Sequence, residues 1–158
     1  MALTKGTNSF VSLAEATAYF ADRLDVAAWI AATDPVRSQA LVTATTILND
    51  LSWTGIAISE SQPLAFPRTG TYFDPMVGYE ISLPVTVPSR ILTATYELAY
   101  HLLNNDGLLD DSGTVSNLGI STISLTIKTN PSTIPPMVQR MIRPLLVNAG
   151  ANNWWRAN

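Results

Sequence analysis

The chain has 158 residues, a formal net charge of −3, no cysteine and only 13% charged side chains, against roughly 25% in ordinary soluble domains. The acidic balance speaks against a continuous basic stripe of the kind that grips DNA without regard to sequence, and the missing cysteines exclude disulfides, thiolate metal sites and cysteine nucleophiles. One domain is expected at this length, and the shortage of charge for a solvated skin points to surface covered by other subunits, with a monomer of neutral polar surface as the alternative.

The opening MALTKGTNSF has no apolar stretch of the signal-peptide kind, and no run of about 18 apolar residues follows, so a soluble chain made in a cytoplasm is expected. Ser12-Leu13-Ala14-Glu15 has the spacing of a capping box. It predicts a helix to about Leu24, with Ala16, Phe20 and Leu24 on one face. Asp25 is expected to cap a short helix carrying Trp29. Asp34-Pro35 then reads as an N-cap followed by proline at the first helical position. That helix should run to about Leu51, with Val36, Ala40, Ala44, Ile47, Leu48 and Leu51 on one stripe.

Residues 53–88 hold five of the ten prolines and read as irregular. The aromatics Phe66, Tyr72, Phe73 and Tyr79 argue against disorder, so an ordered proline-rich arm is expected there. Pro88 starts the next helix, which ends at Asn105-Asp106-Gly107 with glycine past its C-terminus. Ile91, Thr95, Leu98 and Leu102 form one row of it, and Leu92, Tyr96, Ala99 and Leu103 the next. Alternation of Ile123, Leu125 and Ile127 with polar residues predicts a β-hairpin over about 114–128, bent at Asn117-Leu118-Gly119. A last helix starts near Pro135-Pro136 and is kinked or ended by Pro144. The expected fold is mainly α: a small helical bundle with that hairpin and the arm, one domain over 1–147 and a tail over 148–158.

Three clusters invite a chemical reading. His101 lies four residues after Glu97 on the long helix. A general base needs a nucleophile beside it, no nucleophile elbow occurs, and an ordinary helix-face pair explains it better. Asp106, Asp110 and Asp111 lack the alternating ligands and closing glutamate of a calcium loop. Phosphate-binding glycine loops and HExxH are absent. No catalytic, metal or cofactor residue is therefore expected, and the chain is not expected to be an enzyme. Trp154-Trp155-Arg156 has three readings: docking to a partner, closing the domain's own core, or stacking on single-stranded bases. The acidic charge weighs against the last.

Several of these elements together resemble a known family. They are S-x-x-E-A-x-x-Y-F from Ser12 to Phe20, A-L-V-x-A-T-x-x-L from Ala40 to Leu48, and L-x-W-x-G from Leu51 to Gly55. QPLAFPR from Gln62 to Arg68 and V-P-S-x-I-x-x-A-x-x-E-L-A from Val87 to Ala99 complete the set. The chain is similar to the head–tail adaptor (connector, or head-completion) proteins of tailed bacteriophages, in the group often labelled DnaT-like single-stranded DNA-binding protein. Phe66 stands where that family usually has tryptophan.

The resemblance implies a homo-oligomeric ring, of twelve copies, in the virion neck. Such a ring joins the portal protein to a tail or stopper protein and lets double-stranded DNA pass without specific binding, with no membrane involved. On that reading the arm docks onto a neighbouring subunit through Gln62, Pro63, Leu64, Phe66, Pro67 and Arg68. Arg140, Arg143, Trp154, Trp155 and Arg156 are the candidates for docking to the portal. The alternative is a single-stranded DNA-binding protein of a phage replication system, which needs an electrostatic groove and stacking aromatics.

Overall fold

The computed structural model describes residues 2–84, 86–104, 118–120, 123–125 and 134–147. Helices α1 (Leu13–Ala21), α2 (Ala27–Ala31), α3 (Asp34–Asn49), α4 (Ser89–Asn104) and α5 (Pro136–Ile142) form the bundle, and a 3-10 turn, Arg143–Leu145, continues α5. The strands are short: β1 (Ile56–Ala57), β2 (Arg68–Thr69), β3 (Thr71–Asp74), β4 (Tyr79–Ser82), β5 (Leu118–Ile120) and β6 (Ile123–Leu125). They pair antiparallel as β1 with β2, β3 with β4, and β5 with β6. The mainly helical expectation stands at that level.

The capping box at Ser12 forms in both directions, which sets the start of α1. Its end comes earlier than predicted. The helix stops at Ala21, and Leu24 is 91% exposed rather than on the buried row. Asp25 does not cap α2; it takes φ +56, and Val26 is the N-cap without a side-chain bond. The cap of α3 is Thr33, so Asp34 and Pro35 occupy its first turn. There the carboxylate still sits well against the helix dipole.

Helices α3 and α4 pack along their lengths, with α5 and α2 against α4 and α1 against α3. Leu41, Ala44, Leu48, Ile91, Leu98, Ile142 and Leu145 are fully buried at this junction. Each large aliphatic side chain withdrawn from water there contributes about 1.5–3 kcal/mol. Phe20 joins an aromatic cluster, with ring centroids 4.4 Å from Trp29 and 5.7 Å from Tyr100. Tyr19 stacks on Tyr96 at 4.7 Å.

Glu97 lies in that cluster at 4% exposure, not on a solvated helix face. Its carboxylate accepts from the Tyr19 hydroxyl at 2.6 Å and from Arg23 at 2.8 Å. Burial, and then the bond to Glu97, push the Tyr19 phenol well above its ordinary range. A buried carboxylate is tolerated only with such partners.

The proline-rich arm is more regular than the sequence suggested. β3 and β4 form a hairpin with Tyr72 opposite Ile81, Phe73 opposite Glu80 and Asp74 opposite Tyr79. Gly78, at φ +80, closes the turn, a conformation glycine takes without steric cost. At the other predicted hairpin, Leu118 and Gly119 lie within β5 and pair with Leu125 and Ser124. Leu118 and Gly119 are therefore strand residues and not the bend, and Asn117 lies outside the described residues.

Candidate nucleic-acid interface

The arm closes on its own chain. Phe66 is 2% exposed, with its ring edge-on to Trp53 at 5.1 Å and to Phe10 at 6.2 Å. Leu64 is buried beside it, and the Phe66–Pro67 peptide is cis. Gln62 turns inward, donating to the carbonyls of Leu64 at 2.6 Å and Pro67 at 3.1 Å. Pro63 is exposed and Pro67 half-buried. Arg68 pairs with carbonyls of its own chain: Gly55 at 2.7 Å, Thr54 at 2.9 Å, Ala65 at 3.3 Å and Trp53 at 3.4 Å. The apolar anchor and the cation expected to reach a neighbour are spent inside the fold.

The same fastening brings a second feature into place. Thr54 N–H donates to Leu145 O at 2.9 Å, and Val147 N–H to Ser52 O at 3.0 Å. These bonds fix the chain after α5 beside the start of the arm, and the 3-10 turn packs on β3. Between them lies a groove of about 570 Å³, within the range of ligand sites. Phe73, Glu80, Thr71 and Arg143 are its chemically useful lining. On β3 the residues alternate, Thr71 and Phe73 outward, Tyr72 and Asp74 buried. Phe73 is 54% exposed, so its ring is open to a ligand in the groove.

The buried face of the hairpin supports this display. Arg90 makes a fork on Asp74, at 2.5 Å and 3.3 Å, and the Tyr72 hydroxyl donates to the same carboxylate at 3.1 Å. Arg90, and then the Met76 N–H, hold Asp74 below the usual carboxylate range. That network ties the hairpin to α4 and leaves its other face to solvent.

Charge is distributed sparingly. Lys5, Arg23, Arg37 and Arg90 are in ion pairs with Glu15, Glu97, Asp34 and Asp74, and Arg68 is held by carbonyls. Among the described residues, Arg140 and Arg143 are the cations left to solvent. Arg143 lines the groove, and Arg140 lies one turn earlier on α5. Trp154, Trp155 and Arg156 lie outside the described residues. A smaller concavity of about 330 Å³ near Gln62 and Glu60 has its arginine, Arg68, already engaged. Among the described residues no cluster of acidic, histidine or cysteine side chains could hold a metal ion, and no helix is long and apolar enough to cross a membrane.

An aromatic beside a free arginine on an open groove is the equipment for binding unpaired bases and their phosphates. The family model described as "Putative DnaT-like ssDNA binding protein" matches residues 2–157. The chain belongs to that family. No curated protein and no solved structure matches it. Membership corrects the expectation of a neck ring: the DnaT-like family is described by binding single-stranded DNA, and nothing supports a head–tail adaptor with portal and tail partners. The alternative stated beside the ring is the one favoured.

Sequence reading found Arg143 and counted Phe73 among the aromatics of the arm, but it did not bring them together. Glu80 was missed altogether. The available signal was Thr71-Tyr72-Phe73-Asp74 and Tyr79–Ser82, two short runs across a turn containing Pro75 and Gly78.

Proposed function

We propose that this chain is a non-enzymatic module that binds single-stranded DNA along the groove between the β3–β4 hairpin and the turn after α5. Membership of the DnaT-like family over residues 2–157 carries the reading, and the pairing of Phe73 with Arg143 on one open groove supports the location. Phe73 offers a face on which a base stacks, and Arg143 takes the adjoining phosphate. A duplex hides its base faces, so the unpaired strand is the preferred ligand.

The test is fluorescence anisotropy of a labelled single-stranded oligothymidylate, with the matching duplex as competitor. The expected result is saturable binding to the single strand that the duplex competes for poorly, weakened by Phe73→Ala and by Arg143→Ala. Binding left unchanged by both substitutions removes the site. No binding of the unpaired strand removes the function.

A further inference from the structure

We propose that Glu80 makes this groove selective for guanine: a base stacked on Phe73 presents its pairing edge to the Glu80 carboxylate. The inference rests on the single-stranded DNA reading of the same groove and adds to it a base preference.

Three observations lead there. Phe73 and Glu80 are direct cross-strand partners in the β3–β4 register, so their side chains stand side by side on one face of the hairpin. Both are exposed and both line the groove with Arg143. Glu80, unlike Glu15, Asp34, Asp74 and Glu97, has no ion-pair or hydrogen-bond partner among the described residues. A bare carboxylate in a phosphate-binding groove repels the ligand unless a donor on that ligand meets it.

The bases differ sharply in what they can offer a carboxylate. In an unpaired strand the pairing edge is free to be read. Guanine carries two adjacent donors there, the N1–H and the N2 amino group, which match the two oxygens of a carboxylate. Cytosine and adenine each set one amino donor beside a ring-nitrogen lone pair. Thymine sets its single N3–H between two carbonyl oxygens. Only guanine meets the fork without placing an acceptor against it. Arg143 balances the carboxylate's charge toward the backbone, so the same groove takes phosphate and base edge together.

The experiment compares the intact chain on short oligothymidylates carrying one central guanine, adenine, cytosine or hypoxanthine, read by anisotropy. The guanine strand is expected to bind about tenfold tighter than all-thymine, in line with one good bidentate contact. Hypoxanthine, lacking the N2 amino group, should lose most of that gain. In Glu80→Gln the ratio of guanine-strand to all-thymine affinity should fall to about one. Equal affinity for every base in the intact chain overturns the inference and leaves the DNA-binding reading standing. A guanine preference that survives Glu80→Gln overturns it too, leaving Glu80 as an edge-strand charge that discourages sheet-to-sheet pairing. Failure of every strand to bind overturns both readings. The base panel needs no variant, so an ill-folded substitution cannot blunt it.

Discussion

The Arg68 guanidinium donates to the carbonyl oxygen of Gly55 at 2.7 Å, holding the middle of the proline-rich segment against its beginning. Three further carbonyls, of Thr54, Ala65 and Trp53, share the same head group. A planar fork with several donors can serve such a ring of acceptors, and a lysine ammonium cannot reproduce its geometry. Arg68→Ala should cost about 2–3 kcal/mol, lowering Tm by about 4–12 °C in a domain of this size. Arg68→Lys should recover less than half of that. Thermal melting followed by circular dichroism checks both, and a Tm unchanged by Arg68→Ala would show the contacts to be dispensable.

Gly55 meets a tighter constraint. It has φ +77, and a Cβ there would sit 2.3 Å from the carbonyl oxygen of Thr69. Gly55→Ala should therefore combine left-handed strain of about 1–2 kcal/mol with a backbone clash, separating β1 from β2. The expected denaturation midpoint falls further than for Arg68→Ala. Chemical denaturation of the two variants side by side gives the order.

Phe66 and Phe73 are two phenylalanines of one segment with opposite tasks. Phe66→Ala opens a cavity between Trp53 and Phe10 and should cost about 3–5 kcal/mol. Phe73→Ala removes a ring already half in water and should change stability by less than about 0.5 kcal/mol. Its effect should appear in affinity for single-stranded DNA, a loss of about 1–3 kcal/mol for one stacked base. Melting and anisotropy on the same two proteins separate the roles. A Phe73→Ala protein that melts early but binds normally would reverse the assignment.

What the sequence disclosed tracks how local each cause is. The Ser12–Glu15 capping box is a contact across three residues, and the rows on α4 follow from helical period alone, so both were legible. Arg68 reaches carbonyls up to 15 positions away, and no pattern of residue types records an arginine–carbonyl bond. The β3–β4 hairpin was hidden because its strands are only four residues each, too short for alternation to stand out among prolines. The groove depends on both: it exists only once the arm is fastened and the chain after α5 is paired to Ser52 and Thr54. The low charge content pointed to buried surface between subunits. It did not disclose that most described cations are consumed inside one chain.

That economy of cations bears on salt dependence. With Lys5, Arg23, Arg37 and Arg90 in ion pairs and Arg68 on carbonyls, Arg143 and Arg140 are the described groups able to neutralise phosphate. Single-strand binding loses affinity with a logarithmic slope of about −0.7 per phosphate neutralised. The slope expected for two contacts is thus about −1.4, shallow for a DNA-binding protein. Arg143→Ala should reduce it by about half. An anisotropy titration across ionic strength measures it, and a slope several times steeper would place the phosphate contacts elsewhere in the chain.

Glu15 accepts from Lys5, and from the Ser12 N–H at 2.8 Å, closing the capping box at the head of α1. The Lys5 contact, followed by the Ser12 N–H, lowers the Glu15 pKa from an ordinary 4.5 to about 2. A carboxyl with a depressed folded-state pKa stabilises the fold fully above its unfolded pKa. It loses that contribution as pH falls toward the folded value. Both side chains are nearly half exposed, so solvent screening leaves the pair and cap together at about 1 kcal/mol. Glu15→Gln should be less stable than the parent chain by that amount at neutral pH, and the gap should close between pH 4.5 and 2. Lys5→Met should keep part of the gap, because the Ser12 bond survives it. Denaturant unfolding of the three proteins over that pH range measures the difference directly, and a gap that persists undiminished at the acid end would mean the carboxylate's charge is not what stabilises the helix start.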